Sequence, residues 1–415
     1  MPLSAATPHP SPAPAAALTP TPTPTRQVHA LWLALLATPV AASANSPVLI
    51  LPDMAGSLGV RTATATWLVT AFGWAMAVGT PLMAGLLRRR GLGSALKLSA
   101  VLIVTGTAIV AAAPWLPLVM AGRVAQAVGG AGLITAAMSL AGSVRRMGVI
   151  TAGFGTLGAV GPLLGSTIAD AASWRVSLTV GALALLAIPA VLRRADLSAP
   201  SSDTTPFDGR GAALLVLTAT ALVLIPRHPL PALAASLVTA GLLTLHIRSH
   251  PTGFVPRSLL RTRTFVLSAA LACTLATSYF TLLFAVPQLL QDRTAWSSAT
   301  IGTGQLIALL TGSALSMALA AAAARMSRRT VLTILLTAGA LAPLAAALTP
   351  WAPLLLLVAT LAVFATSAGQ ATLAVYATTA APPAQRPTAI GLFSLCYQLG
   401  GAFGPAIAAT LTLSA

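Results

Sequence analysis

Arg123 and Gln126 stand one helical turn apart inside an apolar run, residues 116 to 141, of a 415-residue chain. A guanidinium held away from water is costly. At such a position it either serves binding and coupling, or it is satisfied by neighbouring carbonyls and pins helices together. Acids to work with it are scarce, for the chain has six Asp and no Glu. A side chain that takes up and releases a proton as its surroundings change is normally a carboxylate or His. Asp196, Asp203 and Asp208 fall in a polar link, while Asp170 and Asp292 lie at the ends of apolar runs. Asp53, just past Pro52, remains as the candidate proton carrier, with a solvated loop acid as the competing reading. His29 and His246 sit at run ends and read as interface residues.

Tyr279, Gln288, Gln305, Gln370, Tyr376, Tyr397 and Gln398 are the polar and aromatic residues of the later apolar runs. They are candidates for lining a substrate cavity, and each is equally able to bond one helix to another. Without a buried acid, such a cavity suits neutral or anionic amphiphiles better than cations. The runs contain no convergent cluster of His, Asp, Glu or Cys, no metal-ligand spacing and no phosphate loop. The expectation is therefore no catalytic residue, no metal and no cofactor.

The elements that must position these residues are membrane spans. Hydrophobic residues make up 56% of the chain and charged residues 7%, with a mean hydropathy of +0.88. That composition belongs to an integral membrane protein. A bilayer core of about 30 Å needs roughly 20 apolar residues of helix. Thirteen segments qualify, near 29–51, 63–87, 94–113, 116–141, 147–169, 174–192, 211–226, 230–247, 264–290, 298–324, 330–349, 352–379 and 387–413. The fold class is all-α and polytopic, two helix bundles (29–194 and 264–415) with an inserted helix pair (211–248) between links at 195–210 and 249–263. Residues 1–28, rich in Pro and Thr, read as a disordered cytoplasmic tail without the features of a secretory signal.

The net charge of +17 does not indicate nucleic-acid binding, because the basic residues sit in short clusters between the apolar runs. With the N-terminus inside, eighteen of them face the cytoplasm and four the outside, a strong positive-inside bias. Arg123 is the remaining one. Cys273 and Cys396 lie within apolar runs and read as packed thiols.

The fifth span carries GTLGAVGPLLG at 155–165. At about 100° per residue Gly155, Gly158, Gly161 and Gly165 form one stripe, suited to close helix contact in lipid. Pro162 has no N–H to offer the carbonyl of Gly158, so the helix should bend. GAVGP at 158–162 returns as GAFGP at 401–405, with Gly401, Gly404 and Pro405 on the last span. Repeated halves are typical of secondary transporters, whose substrate sits between them. The stripe then reads as a bend and close contact at a moving seam.

RVAQAVGG at 123–130 resembles the fourth-helix motif of major facilitator superfamily exporters, and GTLGAVGPLLG resembles their fifth-helix antiporter motif. SPVLILPDMAGSLGV with TWLVTAF, SWR at 173–175 and HIRSHPTGFVPRSLLRTRTF are similar to the fourteen-helix drug:proton antiporter branch, which includes tetracycline exporters. The resemblance implies the major facilitator fold and plasma-membrane export of drug-like amphiphiles in exchange for protons. It places Arg123 and Gln126 at the central cavity. Uncoupled facilitation and a truncated, non-transporting membrane protein are the alternatives.

Three departures stand out. Where that family has G-x-L-x-D-R-x-G after the second helix, this chain has GLLRRRG, Gly85 to Gly91, with Arg89 in the place of the gate Asp and Arg90 following it. Ser43 stands where many members carry a first-helix Asp that partners the fourth-helix Arg. A fourteenth helix is expected and does not appear in the sequence.

Overall fold

The computed structural model describes residues 28–141, 144–195, 207–323, 325–349, 351–382 and 385–411. Most of the Pro/Thr-rich tail, and Asp196 and Asp203, lie outside the described residues. Helices run in order: α1 Ala30–Asn45, α2 Leu51–Ser57, α3 Thr62–Ala65, α4 Trp67–Ala112, α5 Leu116–Ala141, α6 Val144–Ala171, α7 Trp174–Ser177 and α8 Ile188–Arg194. They continue with α9 Gly209–Leu224, α10 Pro229–Ser249, α11 Arg257–Arg261, α12 Arg263–Arg293, α13 Ser298–Ala323, α14 Arg328–Leu348, α15 Leu354–Thr379 and α16 Arg386–Leu411. Two 3-10 segments, Ser46–Leu49 and Val180–Ala187, follow α1 and α7. Among the described residues, ten helical segments are long and apolar enough to cross a membrane.

The 46-residue α4 contains two crossings. Gly91 has φ 76° and ψ 174°, a conformation closed to other residues, and it breaks the helix where the RRRG sequence ends the second span. The sixth span is less regular than its hydropathy implies. It is assembled from α7, the eight-residue 3-10 segment and α8.

The two halves pack by the same plan. The first helix of each half embraces the fifth, α1 against α6 and α12 against α16. Across the interface, α4 lies against α16 and α6 against α13. Counted within each half, these are the second and fifth helices in reciprocal pairs, as two-fold pseudo-symmetry requires. The inserted helices α9 and α10 pack on each other, and α9 also touches α4 and α16. A core cluster crosses between the halves, joining Val48, Leu49, Val69 and Ala159 to Tyr279, Phe284, Leu290 and Ile301.

Candidate transport site and gate

Small residues bring the backbones of α6 and α1 together. A methyl group added at Gly161 would lie 2.9 Å from the Ala42 carbonyl oxygen, and one at Gly165 would run into the carbonyl of Ser46. Gly158 faces Ala41 and Asn45. The stripe thus binds α6 to its own half, while Gly155 turns toward Ser313 of α13 in the other half. In the echo, Gly400 and Gly404 press on α12 at Cys273 and Phe280. Gly401 meets the Phe280 ring, and beside it Ala402 is approached by Gly73 of α4. Each proline–glycine helix is therefore wedged between its own first helix and the opposite half.

A proline inside a helix leaves a carbonyl without its helical donor, and for Pro162 and Pro287 a side chain of a neighbouring helix supplies the missing bond. Asn45 Nδ2 donates to Gly158 O at 2.9 Å, the carbonyl that Pro162 cannot serve. In the second half Gln305 Nε2 donates to Leu283 O at 3.0 Å, the carbonyl that Pro287 cannot serve. Gln305 is fully buried. Its sequence reading left open a cavity or an interhelical role, and its amide makes an interhelical bond.

Arg123 is 0% exposed. Its guanidinium donates to Ser43 Oγ at 3.1 Å, Gln126 Oε1 at 3.0 Å, Ser43 O at 3.0 Å and Leu178 O at 3.5 Å. Ser43 O is a further carbonyl four residues before a proline, Pro47. Gln126 passes the chain of bonds on to Thr107 Oγ1 at 3.1 Å. The Phe72 ring centre lies 4.1 Å from the guanidinium carbon, close enough for a cation–π contact. No carboxylate reaches Arg123 among the described residues, and Ser43 occupies the place the resemblance assigns to an acid. The result is a buried cation held by neutral oxygens and an aromatic face.

Asp53 is exposed in the first turn of α2, away from this network. Asp170 and Asp292 are also exposed, at the ends of α6 and α12. In the second half Tyr279 and Tyr397 are buried, and Gln288, Gln370 and Gln398 are half-buried. Tyr376 lies near the end of α15, with the Arg328 guanidinium 4.5 Å from its ring centre.

At the end of the second crossing, the candidate gate, Arg88 donates to Thr388 Oγ1 of α16 at 3.3 Å and so bridges the halves. Arg90 is exposed. Arg89 lies over the ring of Phe207, 5.2 Å from its centre. Asp208 caps α9 by accepting from Gly211 N at 2.8 Å, and accepts from Phe254 N at 2.9 Å. It also pairs with His246 Nε2 at 2.8 Å. Burial raises the Asp208 pKa, but the Phe254 and Gly211 N–H groups and His246 together outweigh it and hold the carboxyl below the ordinary aspartate range.

Sequence reading alone missed Asn45, Phe72, Phe207 and the contacts of Asp208. For Asn45 a signal exists in principle, since a membrane proline calls for a polar donor on a neighbouring helix. Which helix supplies it depends on the packing.

The comparisons agree with this geometry. The chain is 31% identical over 168 residues to the chloramphenicol resistance protein of Streptomyces lividans, covering 38% of this chain and 42% of that protein. The match thus spans less than half of that relative's length. The fold is similar to a solved peptide transporter POT in complex with sulfate, with TM-score 0.62, 15% identity, 91% of this chain and 87% of that one. It is likewise similar to the human organic anion transporter MFSD10 (TETRAN), with TM-score 0.61, 18% identity and 94% of each chain. The family model of the Major Facilitator Superfamily matches residues 31–405. With nearly its whole length matched, and with reciprocal pairing of second and fifth helices across two halves, this chain belongs to the Major Facilitator Superfamily and is a multi-pass membrane transporter, not an enzyme.

Proposed function

We propose that this transporter exports small amphiphilic, drug-like or antibiotic-like molecules across the plasma membrane by alternating access, with its N-terminus in the cytoplasm. The observation that carries the mechanism is the placement of α6 and α16. Each proline–glycine helix touches its own half through glycines and the opposite half through its other face, so rocking of the halves turns about these two helices. The partial identity to a chloramphenicol resistance protein supports export.

The substrates are neutral or anionic. Arg123 brings a positive charge into the first half, and no described carboxylate lies beside it to attract a cation. Exchange for protons is the coupling that the resemblance implies, with Asp53 as the candidate carrier. A second reading, uncoupled facilitation, is favoured by the exposure of Asp53, Asp170 and Asp292.

Chloramphenicol accumulation in cells expressing the protein, against vector alone and with or without a protonophore, tests both. Lower accumulation that a protonophore restores supports proton-coupled export. Lower accumulation in the Asp53→Asn protein, still abolished by the protonophore, assigns coupling to another group. Accumulation equal to vector for chloramphenicol and for a panel of neutral and anionic amphiphiles overturns export.

A further inference from the structure

The inserted pair is joined to the bundle beside a run of three arginines. The cytoplasmic end of the second crossing carries Arg88, Arg89 and Arg90 and no carboxylate. The links on either side of the inserted pair meet there. Gly85 lies under two phenylalanines, with 3.9 Å from its methyl position to Phe254 and 4.0 Å to Phe207. The two rings meet edge to face, with centres 6.0 Å apart and planes at 84°. Arg89 presents its guanidinium carbon to the Phe207 ring, and its Nε is buried without a hydrogen-bond partner. The aromatic face is thus the contact that offsets Arg89's partial desolvation.

Phe207 cannot hold that position by its own packing, being 49% exposed. Its neighbour in sequence does the holding. The Asp208 carboxylate takes bonds from Gly211 at the start of α9, from His246 in the last turn of α10 and from Phe254 in the second link. Gly211 and Gly253 are both so close to that carboxylate that a side chain at either would collide with it. One carboxylate therefore fixes the two link segments that carry the aromatic pair. Higher on the same face, Trp74 Nε1 of α4 donates to Thr220 Oγ1 of α9 at 3.0 Å, which keeps the two helices alongside each other.

We propose that Phe207 and Asp208 are positioning residues of the cytoplasmic gate: the links of the inserted helix pair provide an aromatic seat for Arg89, tied in place by Asp208, which holds the end of the second crossing, just before the break at Gly91, in register for the Arg88–Thr388 bridge to α16. The geometry stands independently of the export reading, and its consequence for transport rests on alternating access. In this arrangement the inserted helices are part of the gate, and the link carboxylate acts on it only through the aromatic pair it holds.

The test uses the full-length protein in inside-out vesicles, with Cys273 and Cys396 replaced by alanine and cysteines placed at Pro81 and Gly391, whose Cβ positions lie 3.9 Å apart across the halves and so within disulfide reach. The yield of this crosslink on oxidation reports closure of α4 on α16 without any substrate and leaves Arg88 and Thr388 in place. Arg89→Gln, Phe207→Ala and Asp208→Asn should each lower the yield about fivefold, the change expected for loss of one cation–π contact of this kind. Phe207→Trp should restore it. Thermal melting of each variant separates a folded protein with an open gate from a misfolded one, and Phe207→Trp and Phe207→Leu, both bulky and apolar, keep the comparison valid if Phe207→Ala fails to fold. Equal yields for the Trp and Leu proteins overturn the aromatic seat, and an unchanged yield in folded Asp208→Asn protein overturns the role of the carboxylate. Because the readout is crosslinking, a chain that fails to export chloramphenicol still answers the question.

Discussion

Asn45 donates a hydrogen bond to Gly158 O at 2.9 Å, so the carbonyl that Pro162 strips of its helical partner is satisfied from a different helix. This makes the proline in α6 and the polar residue in α1 one device. A proline kink in lipid leaves a polar group that no water can reach, and the neighbouring helix must supply the donor. Asn45→Ala should lower stability by about 1 kcal/mol, the size of an interhelical hydrogen bond in a membrane. In a Pro162→Ala background residue 162 regains its N–H, so the same substitution should cost close to nothing. A double-mutant cycle by thermal melting in detergent measures the coupling. Additive losses would show that the bond and the kink are unrelated.

The glycines of α6 differ in what stands opposite them. At Gly165 a methyl group meets the Ser46 carbonyl, whereas at Gly155 the nearest atom, Ser313 Oγ, is 4.0 Å away. Gly165→Ala should destabilise by about 1–3 kcal/mol, the range for overpacking. Gly155→Ala should leave the melting temperature unchanged. Gly161→Leu, which would push α6 off α1, should reduce export sharply while membrane insertion is retained. Full export by the Gly161→Leu protein would remove the helix from the mechanism.

Arg123 spends its fork on four neutral acceptors. A lysine offers a single point charge and cannot reproduce that pattern, so Arg123→Lys should insert normally and lose most export. Ser43 tests the electrostatics from the other side, since its Oγ lies 3.1 Å from the guanidinium. Ser43→Asp should fold when Arg123 is present. In an Arg123→Gln background the same acid would be buried without a partner, at a cost of about 3–5 kcal/mol, and expression should collapse. If the two backgrounds tolerate Ser43→Asp equally, the site is wetter than its burial implies.

How much of this was legible in the sequence follows from the range of the forces. Spans were legible because the bilayer imposes length and apolarity on each helix separately, and the break after the second span announced itself in RRRG, where Gly91 takes its positive φ. The irregular sixth span was not, since Val180–Ala187 is as apolar in a 3-10 helix as in an α-helix. Arg123 was singled out as a charge in an apolar run, but its partners Ser43 and Leu178 lie 80 and 55 residues away. The glycine stripe was visible as an interface, while its assignment to α1 within one half needed three-dimensional packing. Asp208 reads in the sequence as a link acid and no more. Its three partners, spread from Gly211 to Phe254, meet only when α9 and α10 fold back on each other.

Asp208 also predicts a pH dependence whose sign is fixed. Its carboxyl is held below the ordinary value of 3.8, so the charged form is the one favoured by the closed link. A group with a lowered folded pKa contributes stability that is complete above its free value and is lost as pH falls through the folded value. Protection of the Phe254 amide against hydrogen exchange, corrected for the intrinsic rate, should therefore be flat from about pH 7 to about pH 5 and should fall only below about pH 4. The Asp208→Asn protein should show low protection throughout, because an amide has one acceptor oxygen where the carboxylate has two. Loss of protection in the wild type between about pH 7 and pH 5 would mean that another group, and not this carboxylate, ties the link.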